Sequence, residues 1–314
     1  MALDLFSFPK DTGAADVFYF VGTSDNQGLE WMVWEKPRGK TMIDILLVGR
    51  GGGGGLGIAT GAASTAGGGG GGGSGAQTRL TMPLALLPDR LYISLAGPNG
   101  ISTLASYITV SPKLLAGAGA PIANDVLMIA NGGGPGSNAS AGTGGGGGTG
   151  GVNATAQFMP LGWAYSRVLV GQPGVAGSNN TAATALVLPL TGLLVTGGGG
   201  GSGLGAAATS NPGGGITGAG MFPTVSGGVA STGATVPPNN GFAGFKPVAG
   251  LVYYYGGTGG ASTWGNATGT GLVQSSGGNG APGCGGGGAG GALTGSTTPP
   301  PALGGPAFCV ITVW

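Results

Sequence analysis

The stretch 42–57, Met-Ile-Asp-Ile-Leu-Leu-Val-Gly-Arg-Gly-Gly-Gly-Gly-Gly-Leu-Gly, limits what this chain can build. Six residues of strong β character, 43–48, broken only by Asp44, run straight into a glycine tract. The same unit recurs with variations, and separate tracts occupy 51–55, 67–73, 132–134, 144–148, 197–201, 213–215 and 285–288. A glycine run has no side chain to bury, and ordering it loses more backbone entropy than ordering any other residue. Such tracts are either loops or extended helices packed side by side. In the second case, three residues per turn and about 3.1 Å of rise per residue leave every N–H and C=O free for a neighbouring tract. Collagen is excluded because there is no Gly-X-Y period. The number of tracts favours ordered packing.

Composition supports a folded chain. Glycine supplies 79 of 314 residues, a proportion that without a period often means disorder. Disordered chains, however, are poor in apolar residues and rich in net charge, whereas this one is 41 % hydrophobic with a net charge of +1. Beyond Asp125 only Arg167 and Lys246 carry charge. A surface so poor in charge predicts self-association or burial in a larger assembly. No basic patch supports nucleic-acid binding. No apolar run reaches the 18 or so residues of a membrane helix, and residues 1–10 lack the basic start of a secretory signal. Cys284 and Cys309 form no metal or redox spacing and read as unpaired buried thiols, with a disulfide as the alternative.

Catalytic chemistry finds little to use. Histidine is absent, which removes the commonest general base. Asp16, Asp25, Glu30 and Glu35 read as solvent-facing strand and turn residues. The glycines after Val48 imitate a dinucleotide-binding turn but lack the following helix and the later acidic residue. The expectation is no enzyme, no cofactor and no metal.

Residues 1–40 form a distinct first unit, a β cap or anchoring segment holding Phe18, Tyr19, Phe20, Trp31 and Trp34. Two short strands, 16–21 and 29–34, are expected there, joined by a turn at 22–28. Residues 41–314 form the glycine-rich strand-polyglycine domain. Further strands are expected at 78–82, 91–95, 125–130, 167–170, 185–188 and 308–314. The units at 90–137 and 167–202 share a loose strand, turn, loop, strand and glycine order. Arg50, isolated among glycines, is expected where its tract reaches the surface or a neighbouring subunit. The fold class is therefore all-β, a glycine-rich β-sandwich or β-layer fold with packed polyglycine-II-type segments.

Trp34-Glu-Lys-Pro-Arg-Gly leading into 43–55, then 67–74 and the closing Ala-Phe-Cys-Val-Ile-Thr-Val-Trp at 307–314, resembles the glycine-rich domain proteins of tailed bacteriophages. The resemblance runs from about Trp31 to Trp314. It implies a virion location after synthesis in the host cytoplasm, homotrimers, other virion proteins as partners, and no enzymatic activity. On that basis the chain is expected to be a fibre, spike or decoration protein anchored by its N-terminus. Its distal part would contact a host glycan or protein through Phe242, Phe245, Tyr253, Tyr254, Tyr255 and Trp264. The competing role for those rings is to cap the glycine layers. An extracellular glycine-rich structural or ice-binding protein is the alternative function.

Overall fold

A computed structural model describes residues 15–23, 31–60, 65–98, 103–111, 125–152, 165–189, 192–205, 209–218, 222–230, 240–247, 252–263, 274–293 and 298–314. The fold is essentially all-β with open antiparallel sheets. The strands are β1 (Asp16–Val21), β2 (Met32–Glu35), β3 (Met42–Val48), β4 (Ala59–Thr60), β5 (Gln77–Pro83), β6 (Arg90–Ser94) and β7 (Ser106–Thr109). They continue as β8 (Val126–Ala130), β9 (Tyr165–Leu169), β10 (Leu186–Val187), β11 (Ile216–Thr217), β12 (Ala292–Leu293) and β13 (Phe308–Val313). One sheet has the order β1-β13-β3-β5-β9 and a second the order β2-β6-β7-β8.

The two expected N-terminal strands exist, but they part company. β1 pairs with β13, whereas β2 pairs with β6 in the other sheet. Period-two alternation explains where each face goes. Ile43, Ile45 and Leu47 join Cys309, Ile311 and Val313 in a core shared with Trp34, Leu91, Ile93, Ile108 and Met128 of the second sheet. The alternate residues Leu46, Val48 and Phe308 face the opposite way, onto Leu193, Val195, Ala281 and Cys284. Asp44 interrupts the apolar pattern of β3, and it is paired. Arg79, across the ladder on β5, approaches to 2.9 Å, and Thr81 donates a hydroxyl hydrogen bond to the same carboxylate.

Strands β3 and β8 run directly into tracts 49–58 and 131–139, and tract 67–76 runs into β5. The glycine tracts are ordered, and tract 67–76 lies at their centre. Its N–H groups leave in three directions in strict rotation. Gly68, Gly71 and Ser74 donate to the carbonyls of Ser178, Val175 and Gln172. Gly69, Gly72 and Gly75 donate to Ala289, Gly286 and Gly283, and Gly70, Gly73 and Ala76 to Ser137, Gly134 and Asn131, all at 2.8–3.0 Å. Its carbonyls accept from three more tracts, through the N–H groups of Gly49, Gly52 and Gly55, of Gly145, Gly148 and Gly151, and of Gly198 and Gly201. The six neighbours also bond to one another in order (49–58, 131–139, 143–151, 171–178, 196–204, 283–292, and back to 49–58), so the ring is closed.

This ring explains the seven-glycine run. A Cβ on any residue from Gly67 to Gly73 would lie closer than 3.0 Å to a backbone oxygen of an encircling tract. Backbone freedom is not the reason. Among the described glycines only Gly39, Gly142, Gly192 and Gly283 have positive φ. A tract at the edge of the array needs glycine at only two residues in three, whereas 196–204 and 283–292, flanked by further tracts, are crowded in all three directions. In 49–57, Gly49, Gly52 and Gly55 turn toward tract 131–139 and Gly51, Gly54 and Gly57 toward 283–292. The remaining row is Arg50, Gly53 and Leu56, and it carries the side chains.

Arg50 corrects the sequence reading. Its row does leave the array, but the side chain is fully buried, with Nη1 3.4 Å from the Gly97 carbonyl oxygen. It marks the seam between the array and the loop after β6.

Candidate functional site

The expected contact rings divide three ways because neighbouring residues on an extended chain face different directions. Tyr253 and Tyr255 are buried with Leu186, Leu188 and Ile216 in a small core of their own. Their rings lie 6.0 Å apart, and Phe222 packs on Tyr253 at 4.6 Å. The Tyr255 hydroxyl donates to the Pro223 carbonyl at 2.9 Å. For this pair the capping role fits the geometry. Tyr254 turns the other way. Its ring meets Phe308 edge-on at 5.5 Å, and its hydroxyl is 3.2 Å from that of Tyr19 on β1. Burial and that hydroxyl contact push the Tyr19 pKa up from its ordinary value. Phe242 and Phe245 stay at the surface, 55 % and 40 % exposed. Trp264 lies outside the described residues.

The N-terminal aromatics are also distributed between faces. Phe18 and Phe20 pack against the inter-sheet core, and Phe18 meets the buried Trp34 edge-on at 6.2 Å. Trp31 is half-buried. Val17 and Tyr19, on the opposite face of β1, are exposed, as is Val33 on β2.

Among the described residues, charge gathers at the sheet end. Three of the described carboxylates there pair as follows: Asp16 with Lys40 at 3.3 Å, Glu35 with Arg90 at 3.1 Å and Asp125 with the Ser111 hydroxyl at 2.9 Å. The turn at 36–40 lines an open groove of about 510 Å³ together with Glu35, Asp89 and Arg90. Lys36 within it is tied by its Nζ to the Leu87 carbonyl at 2.9 Å. Both cysteines are buried and unpaired, on opposite faces of the five-stranded sheet, and burial pushes both thiol pKa values up.

The far end of the array has a different surface. Short bridges tie Ala66 to Ala141 and Leu204, Gly67 to Asn179, and Thr263 to Ala292. Around them lie Ser140, Thr143, Asn180, Thr181, Asn211 and Ser262, and no described residue there is charged. Sequence reading missed this gathering. Its parts are spread over more than 200 positions, and only the tract register brings them together.

The sequence of residues 25–100 matches the family model of a glycine-rich domain. That match covers β2 to β6 and the tracts 49–58 and 67–76. A search of curated proteins finds no match to the chain. No helix among the described residues is long and apolar enough to cross a membrane.

Proposed function

We propose that this chain is a non-enzymatic structural protein of a bacteriophage virion, a fibre, spike or decoration protein acting as a homotrimer. The observation that carries the reading is the closed ring of six tracts around 67–76. Its rotation of donors through three directions is the pattern of polyglycine II, in which backbone hydrogen bonds take over the role of a side-chain core. A bundle of that kind is a stiff spacer. Tract 67–76 alone spans about 28 Å at 3.1 Å per residue. The sheet end, with its ion pairs and exposed Val17 and Tyr19, suits attachment to a particle, and the uncharged far end suits outward display. The match to a glycine-rich domain and the resemblance of 31–314 to phage glycine-rich proteins support the same reading.

Electron microscopy of the parent particle tests this. The expected result is density for the chain at a fixed site with its sheet end inward. A particle lacking it, or a free monodisperse monomer, would overturn the assembly role. Deleting residues 1–35 should abolish incorporation, and normal incorporation would refute N-terminal anchoring.

One observation favours a second reading. Adjacent tracts expose the neutral rows Thr143, Gly146, Thr149 and Pro173, Ala176, Asn179, a surface compatible with an extracellular ice-binding protein. Inhibition of ice recrystallisation by the purified chain would favour it over the virion role.

A further inference from the structure

Phe242 and Phe245 differ from the other rings because the array itself presents them. Gly241 and Gly244 turn inward, where a Cβ would lie closer than 3.0 Å to the carbonyl oxygens of Thr258 and Tyr255. The next position in the three-residue turn therefore leaves the array, and it holds Phe242 and Phe245. Their backbones are fixed. The Phe242 N–H donates to Thr258 Oγ1 at 2.7 Å, and its carbonyl accepts from the Thr258 N–H at 3.0 Å. The Phe245 carbonyl accepts from the Tyr255 N–H at 2.9 Å. Three residues of extended helix separate the two side chains by about 9 Å along the tract. Two rings stack on each other only within roughly 4.5–7 Å, so the two phenyls leave each other free. Phe245 is held from below by an edge contact with the buried Tyr255 at 5.5 Å, and both rings keep exposed surface for separate units of a ligand.

Size and polarity narrow the ligand. An aromatic side chain carries about 150–250 Å², so two half-exposed rings offer about 200 Å². A stable protein interface needs about 800 Å² per partner, and the pair falls well short. Two polar side chains flank it in fixed positions. Asn240 Oδ1 accepts from the Ser276 N–H at 3.0 Å, and Asn279 Oδ1 accepts from the Leu303 N–H at 2.8 Å. Their Nδ2 donors have no partner among the described residues. Lys246 lies 6.0 Å from the centre of the Tyr254 ring, one turn along from Ala243.

We propose that Phe242 and Phe245 form a stacking platform for an extended neutral oligosaccharide, with non-adjacent hexopyranose units laying their C–H faces on the two rings. The asparagine amides would take hydroxyl oxygens at its edges. This rests on the reading of the chain as a surface-contact protein and names the ligand class of that contact.

Saturation-transfer NMR on the full chain tests it, with maltohexaose and cellohexaose as probes. Transfer to at least one is expected, with a tenfold or greater loss of affinity in the Phe242→Ala/Phe245→Ala double variant while its circular dichroism shows the fold retained. The Phe245→Trp variant should keep or strengthen binding. No transfer from either sugar, or equal transfer in the double variant, overturns the proposal. So does a fall in oligomeric state of the double variant by sedimentation, which would make the rings a self-contact. These outcomes leave particle location, judged by microscopy, untouched.

Discussion

The two halves of this molecule are stabilised by opposite uses of the side chain. In the sheets, Ile43, Ile45, Ile311 and Leu91 fill the space between two backbones about 10 Å apart. In the array the backbones meet directly, and hydrogen bonds at 2.7–3.1 Å take over the work of packing. Each such bond contributes only about 0.5–1.5 kcal/mol net, but a buried, unpaired N–H is costly. The lesson is an inversion of mutational logic. The sheet half is harmed by taking atoms away, the array by adding them.

Four experiments probe that inversion, the first with the largest effect. Gly70→Val places a Cβ and two methyls against the Gly146 carbonyl in the middle of the encircled tract. A loss above about 4 kcal/mol is expected, read as a collapse of the denaturant midpoint. Unchanged thermal stability would mean that the tract behaves as a loop. Ile45→Ala empties part of the inter-sheet core and should lose about 2–5 kcal/mol. If the array is a separate cooperative unit, hydrogen exchange at Gly68–Gly73 will barely respond. If both halves melt together, exchange will accelerate across the whole chain.

The third experiment uses the buried thiols on either face of the sheet that joins the halves. Burial raises both pKa values above the unfolded value near 8.5. Stability is therefore complete below that value and falls as pH rises past it, by about 1.4 kcal/mol per thiol per pH unit. Denaturant midpoints at pH 7 and pH 10 check this, and equal midpoints would contradict it. The smallest effect belongs to Gly146→Ala. Its Cβ would meet nothing nearer than Ser137 Oγ at 3.8 Å, and its φ is not positive. A change within about 0.5 kcal/mol is expected. The neighbouring Gly145→Ala, whose Cβ would run into the Ser137 carbonyl, should be far worse. Similar losses for both would mean that the outward row is not outward.

Much of the sheet half was legible in the chain. Strands at 42–48, 90–94, 126–130 and 308–313 fall where β-branched and apolar runs meet turn residues. β7, Ser-Tyr-Ile-Thr, escaped because four residues with three hydroxyls carry too little pattern. Pairing escaped too: nothing local in Asp16–Val21 says that its neighbour lies almost 300 residues away on β13. In the array, polyglycine holds no register information, so the ring order could not be read. The positions of its exceptions could have been. Arg50 and Leu56 stand six apart, as do Thr143 and Thr149, and Phe242 and Phe245 stand three apart. The aromatic cluster at 253–255 misled because adjacency in sequence suggests one surface, whereas Tyr254 faces away from its neighbours.

The strict rotation of donors around tract 67–76 also sets an arithmetic for inherited change. Inserting or deleting one residue in an outer tract turns everything beyond it by a third of a revolution. Arg50 or Thr149 would then swing into a neighbouring backbone and an inward glycine would swing out. A change of three residues restores every direction and only slides the tract by one turn. Viable length variants of the outer tracts should therefore differ by multiples of three, while the featureless glycines of 67–73 can absorb a frame slip that their neighbours cannot.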